Sequence, residues 1–163
     1  MLCDGDLRLR TFAPRDIDAA LGWYQDPLVL RMSEGSDAVP FDRLRVERMY
    51  AYLARIGELY MIEVREDSQW RTIGDVTLAK DTLPIVIGEA EYRGRGIGGR
   101  VLDLLIARAR ALGWSSLHLK HIYTYNERSR RLFLSRGFTL VASGVDGHGR
   151  PSERYRLELS AGE

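Results

Sequence analysis

Apolar positions in the first half of the chain fall into short runs separated by punctuation residues. Leu7–Phe12 alternates apolar and polar positions and predicts a strand. Pro14 suits the first turn of a helix, and Asp16 and Asp18 favour its positive end. That helix runs to Tyr24 and stops before Pro27, with a second, short helix over Leu28–Met32 and a polar loop over Ser33–Pro40. Asp42–Ile56 has helical spacing and meets a terminator at Gly57. Leu59–Arg65 and Thr72–Ala79 predict two strands joined by a turn at Asp67–Gln69, and Leu83–Gly88 is a third apolar run with Pro84 at an irregular start.

The second half is written more sharply. Ile97, Val101, Leu104, Leu105, Ala109 and Leu112 repeat at helical spacing, and Gly113 ends that helix. Leu117, Leu119 and Ile122 mark a strand with one break in alternation. Asn126 opens a helix that closes at Gly137, and Phe138–Val145 and Tyr155–Leu159 form a closing hairpin around Asp146–Pro151. Strands interleave with helices throughout, which predicts an α/β or α+β fold, and the absence of a repeat or linker predicts one domain over 1–163.

Composition adds exclusions. With 163 residues, 45% hydrophobic and 29% charged, the chain is neither disordered nor a collagen-like or disulfide scaffold. Its single cysteine, Cys3, fits a reducing compartment. The start MLCDGDLRLR lacks the apolar core of a signal peptide, and no apolar run nears the ~20 residues of a membrane span. A cytoplasmic protein with no membrane partner is expected.

The net charge of +1 conceals opposed regions. Residues 1–92 carry 11 basic and 17 acidic side chains, residues 93–136 carry 10 and 2, and residues 137–163 carry 3 and 4. The +8 segment could attract a phosphate-bearing ligand, or it could be a solvated face.

Within that segment lies Arg93-Gly94-Arg95-Gly96-Ile97-Gly98-Gly99, between an apolar strand and an amphipathic helix. Glycines permit tight turns and close backbone approach, and a helix start presents unpaired N–H groups, so the combination is an anion site. The dinucleotide pattern needs an acidic residue ~20 positions on, and none occurs between Asp103 and Glu127. A nucleotide-triphosphate loop needs Gly-Lys-Ser/Thr, and no lysine is present here. What remains is R-x-x-G-x-G, carried by Arg93, Gly96 and Gly98, or a plain glycine turn.

R-x-x-G-x-G after a strand, followed by Asn126–Phe138 (NERSRRLFLSRGF), resembles the GNAT superfamily of N-acetyltransferases. The second motif is similar to that family's N-x-x-A/S-x-x-L-Y-x-x-x-G-F through Asn126, Ser129, Leu132, Gly137 and Phe138. The opening strand and helix look like those that begin many members, and the resemblance as a whole is greatest to the branch containing ribosomal-protein N-terminal, spermidine and aminoglycoside acetyltransferases. The resemblance implies a mixed, mostly antiparallel six- to seven-stranded sheet flanked by about four helices, splayed between the fourth and fifth strands.

It also implies a chemistry: direct acetyl transfer from acetyl-CoA to a primary amine of a small molecule or a peptide N-terminus. Backbone groups of Val86, Ile87 and Gly88 would bind the pantetheine arm, and one N–H can polarise the acetyl carbonyl. Arg93, Gly94, Arg95, Gly96, Ile97, Gly98 and Gly99 would hold the pyrophosphate. Asn126 would hydrogen-bond pantetheine, with Ser129 on the same helix face. The position that often holds a tyrosine acid is Phe133, which has no proton to give, so Tyr123 and Tyr125 are the nearby replacements.

Glu89 and Asp75 are the candidate bases. Trp23, Tyr24, Glu34 and Tyr60 lie on segments expected to line the acceptor pocket, an aromatic and acidic wall suited to a cation. His118, His121 and His148 form no metal spacing and no Ser-His-Asp set, so no metal is expected. Phe133 keeps open a second class, a non-catalytic acyl-CoA-binding sensor. An RNA-binding module is disfavoured because Arg128, Arg130, Arg131 and Arg136 lack interleaved aromatics, so no nucleic-acid partner is expected. A homodimer is compatible with the resemblance.

Overall fold

A computed structural model describes residues 1–159. Its first sheet has five antiparallel strands in the order β1-β2-β3-β4-β5: β1 Leu2–Asp4, β2 Leu7–Thr11, β3 Glu58–Glu66, β4 Gln69–Leu78 and β5 Ile85–Ile87. The second sheet has the order β6-β8-β7, with β6 Ser116–Tyr123, β7 Thr139–Val145 and β8 Pro151–Glu158. Five α-helices accompany them: α1 Ile17–Trp23, α2 Pro27–Ser33, α3 Arg43–Ile56, α4 Ile97–Ala111 and α5 Glu127–Ser135.

The elements start where local chemistry says they should. Asp26, Asp42 and Asn126 accept hydrogen bonds from Leu28, Arg45 and Ser129 backbone N–H groups, capping α2, α3 and α5. Asp67 and Ser68 both have positive φ, 49° and 64°, the turn geometry that matches the twist of the β3–β4 hairpin. The break in β6 is a bulge between Leu119 and Ile122, with His121 at φ 60°.

The mixed, mostly antiparallel fold is as expected, with differences of detail. The described residues hold eight strands and five α-helices, against six or seven strands and about four helices. The added strand, β1, is three residues long and pairs with β2 across Gly5, too short for any periodicity to announce. The closing hairpin pairs as expected, but its second strand begins at Pro151 and lies centrally between β6 and β7.

The splay is as expected. Counting from Leu7, the fourth and fifth strands are β5 and β6, and no ladder joins them. One end of the gap is pinned where the His118 N–H donates to the Lys80 carbonyl at 3.2 Å. Two apolar cores flank the structure. One packs α4 and α5 on both sheets through Val101, Leu102, Leu105, Phe133, Ile73 and Leu119. The other packs α1, α2 and α3 on the opposite face of the first sheet through Trp23, Tyr24, Val46, Tyr50 and Met61. Met61, Asp75 and Val86 stand side by side across β3, β4 and β5, so Asp75 belongs to the second face.

Candidate active site

The open edge of β5 forms one wall of the gap. Gly88 and Glu89 N–H groups both donate to the Ile73 carbonyl, at 2.8 and 3.0 Å. Backbone direction alternates along a strand, so Val86, two residues before Gly88, also turns its N–H and C=O toward β4. Ile87 therefore turns outward, away from β4. Val86 and Gly88 are engaged with β4, and the outward N–H at the strand end is that of Ile87. The Ile87 carbonyl accepts from Arg93 Nε at 2.9 Å. Arg93 Nη2 reaches the Gly88 carbonyl at 2.9 Å and Asp26 Oδ2 at 3.3 Å. The Arg93 side chain thus clamps the strand end instead of projecting toward an anion.

The glycine turn follows. Gly94 and Gly96 have φ of 74° and 77°, a left-handed conformation that favours glycine, and a Cβ at either would meet nothing within 4 Å. Gly96 caps α4 without any side-chain hydrogen bond. The first intrahelical bond runs from Arg100 N to the Gly96 carbonyl, leaving the N–H groups of Ile97, Gly98 and Gly99 without intrahelical acceptors. Arg95 is exposed and lies 5.1 Å from the Tyr92 ring. Gly98 and Gly99 are also packing positions. A Cβ at 98 would sit 3.4 Å from Leu132, and one at 99 would sit 2.4 Å from the Arg136 guanidinium.

The other wall is the β6–α5 junction. Asn126 is buried; its Oδ1 accepts from Ser129 N and its Nδ2 donates to the Met32 carbonyl at 3.3 Å. The Tyr125 hydroxyl donates to the Arg31 carbonyl at 2.6 Å, and the Tyr123 hydroxyl has Asp146 Oδ2 at 3.2 Å and the Glu34 carbonyl at 3.4 Å as acceptors. Asn126 and Tyr125 therefore latch the end of α2 across the gap. The two tyrosine rings stack at 5.3 Å. Burial raises both phenols, Tyr123 to about 12. Phe133 is buried edge-on against Phe138, with centroids 5.3 Å apart, inside the α4–α5 core.

The candidate bases differ in access. Glu89 is one-third exposed; its Oε1 accepts from Trp23 Nε1 at 3.1 Å and its Oε2 lies 3.6 Å from Arg71 Nη2. Asp75 is 2% exposed, and its Oδ2 accepts from both Tyr24 and Tyr50 hydroxyls at 2.7 Å. Burial pushes Asp75 up to about 6, against the two phenolic hydrogen bonds, and pushes both tyrosines well above their ordinary value.

The four expected acceptor residues do not form one wall. Tyr60 lies on the α4 face, beside Met61 but pointing the opposite way, and donates to Glu58 at 2.5 Å. Tyr24 turns inward to Asp75, and Trp23 lies against the end of β5. Glu34 keeps a half-buried carboxylate with no ion-pair or hydrogen-bond partner among the described residues. Burial raises it, against Arg45 and Arg150. Gly35, the next residue, packs against the Arg150 guanidinium, which pairs with Asp146 at 2.7 Å.

Tyr50, Arg71 and Asp26 take part here without having been singled out. Their contacts here come from at least 18 positions away, although Asp26 also caps α2 locally. Ser116 and His118 approach to 3.0 Å, and no group of three or more His, Cys, Asp or Glu side chains among the described residues could hold a metal ion. No helix among them is long and apolar enough to cross a membrane.

Comparisons with known proteins bear on the family and the fold. The family described as the acetyltransferase (GNAT) domain matches residues 6–139. Spermidine N-acetyltransferase from Vibrio cholerae, solved with CoA and spermine, superposes with a TM-score of 0.79 at 17% identity, covering 97% of this chain and 98% of that one. A ribosomal L7/L12 α-N-protein acetyltransferase in complex with coenzyme A gives 0.77 at 13% identity, covering 98% and 97%. An aminoglycoside acetyltransferase in complex with coenzyme A gives 0.74 at 14% identity, covering 95% and 96%. At these identities the likeness speaks to fold. No curated protein matches in sequence. With the family match spanning most of the chain and the fold shared end to end, this chain belongs to the GNAT acetyltransferase family.

Proposed function

We propose that the chain, taken over 1–163 as one domain whose last four positions lie outside the described residues, is an acetyl-CoA-dependent N-acetyltransferase of the cytoplasm. Its acceptor would be a primary amine of a small molecule or a peptide N-terminus. The observation that carries this reading is the pairing of two features on one side of the gap: an unpaired strand edge at β5 and an uncapped helix start at α4 behind left-handed glycines. The gap between β5 and β6 suits an extended thioester arm, and the α4 start suits the pyrophosphate at its other end.

In this reading bound acetyl-CoA supplies an activated thioester carbonyl. The Ile87 N–H is the donor aimed at the developing oxyanion, and Arg93 holds that amide in place through the Ile87 and Gly88 carbonyls. Main-chain N–H groups from Gly94 to Gly99 hold the pyrophosphate, with Arg95 alongside. Asn126 exchanges Met32 for the pantetheine arm while still capping α5. Glu89, with exposed carboxylate surface at the strand end, takes the ammonium proton. Asp75 is sealed beneath Tyr24 and Tyr50 and takes no direct proton. Glu34 faces the cationic acceptor. Tyr123 and Tyr125 already have acceptors at Asp146 and Arg31, and a thiolate of the acidity of CoA leaves without a proton donor, so Phe133 is compatible with turnover.

The test is thiol release from acetyl-CoA with pools of polyamines, aminoglycosides, amino acids and peptide N-termini. Release with one pool is expected. Binding of acetyl-CoA without release on any pool would favour the sensor, and no binding would overturn both.

A further inference from the structure

We propose that Trp23 is a positioning residue for Glu89, and that residue 88 is glycine so that the Trp23 indole can lie on it. This rests on the reading of Glu89 as the proton acceptor. A Cβ at position 88 would stand 2.1 Å from Trp23 Cγ and 2.3 Å from Cδ2, so the indole lies directly on the Gly88 backbone. From there Nε1 donates to Glu89 Oε1 at 3.1 Å. An indole has one donor and no acceptor, so it can hold a carboxylate but cannot take a proton itself.

The rest of the setting leaves Glu89 little freedom. Its other oxygen faces Arg71 at 3.6 Å, and the backbone it hangs from is fixed by the paired Gly88 and Glu89 bonds into the Ile73 carbonyl. Exposure divides the roles: Trp23 is 3% exposed, whereas the Glu89 side chain is 33% exposed. Only the carboxylate is open to a ligand. A carboxylate has about four acceptor sites, so one contact on each oxygen still leaves room for the ammonium proton. Trp23 therefore acts on the reaction through Glu89 rather than as part of an acceptor wall.

A double-mutant cycle separates this from simple packing. The assay is thiol release from acetyl-CoA with whichever of spermidine, kanamycin, free amino acids or a peptide N-terminus the native chain acetylates fastest. Trp23→Phe keeps a ring on Gly88 and removes the N–H. It should lower kcat about tenfold with the KM for acetyl-CoA within about twofold. Glu89→Gln should lower kcat by about a hundredfold or more. The double variant should be no slower than Glu89→Gln alone, because the bond that Trp23 contributes is then without purpose.

Gly88→Ala displaces the indole from the other side. It should lose at least as much as Trp23→Phe, because the Ile87 N–H and the Gly88 carbonyl held by Arg93 adjoin the displaced ring. Native kcat in Trp23→Phe, or the same tenfold loss in both backgrounds, overturns the positioning role and leaves the base intact. Native kcat in Glu89→Gln overturns the base assignment and this inference with it. No thiol release by the native chain with any of the acceptors overturns the enzyme reading first.

Discussion

Asp75 is enclosed by two phenols and bonded by no cation, an unusual setting for a carboxylate. Its folded pKa, raised from 3.8 to about 6 by burial, gives it a measurable signature. A group that holds its proton more tightly when folded stabilises the fold fully below its unfolded pKa. That contribution is lost as pH rises through the folded value. Here the window runs from about pH 4 to about pH 6, and the contribution is about 3 kcal/mol at one pKa unit per 1.36 kcal/mol. Asp75→Asn keeps an oxygen for the phenols and has no proton to lose. Measured as urea midpoints, the variant should gain on the native chain between pH 4 and pH 6.5, then run parallel to it. Carboxylates such as Glu58, lowered by the Arg108 hydrogen bonds, slope the other way but are common to both chains and cancel. A difference that stays level from pH 4 to pH 7 would count against a buried, proton-retaining Asp75. The sequence placed Asp75 on the right strand. It could not show the enclosure, because Tyr24 and Tyr50 arrive from 51 and 25 positions away.

At the scale of the element, α4 offers its own control. Gly96 at its start and Gly113 just past its end have the same φ, 77°, and a Cβ at either meets nothing within 4 Å. Aspartate at either position therefore carries the same backbone strain, about 1 kcal/mol or somewhat more. A carboxylate is tolerated better at a helix start than at a helix end, so Gly113→Asp should melt no higher than Gly96→Asp. Binding should divide the two the opposite way. By calorimetry, Gly96→Asp should lose acetyl-CoA affinity by about fiftyfold or more, through charge repulsion at the uncapped N–H groups. Gly113→Asp should stay within about threefold. Equal losses would show that strain in α4, not an anion at its start, sets the affinity. This turn was legible because glycine spacing, strand and helix are local. The fate of Arg93 was not, since its three partners, Ile87, Gly88 and Asp26, converge only when β5 and α2 meet. Tyr60 fails for a related reason: a strand's two faces are plain in its alternation, but which helix covers which face is a property of the fold.

Across the whole molecule the opposed charges of the sequence turn out to be partners. Seven of the ten cations in 93–136 are ion-paired. Arg93, Arg100, Arg108 and Lys120 meet Asp26, Asp4 with Asp6, Glu58 and Asp81 from the acidic first part, Arg130 meets Glu153, and Arg131 and Arg136 meet Glu127 and Asp103. Only Arg95, Arg110 and Arg128 have no carboxylate within ion-pair distance among the described residues, and Arg110 lies in the last turn of α4, away from the glycine turn. Five of these seven cations pair outside the segment, so other parts of the chain neutralise most of the +8. What the site keeps is short-ranged: backbone N–H groups at α4, the exposed guanidinium of Arg95 and that of Arg128 in the first turn of α5. Salt screens distant charges over about 10 Å at 0.1 M and leaves hydrogen bonds at contact largely intact. Acetyl-CoA affinity should therefore weaken less than about tenfold between 0.05 and 0.5 M NaCl. A fall of a hundredfold or more would mean that the basic segment acts as an open field despite its pairs, and that the anion is drawn by net charge rather than held by aimed amides.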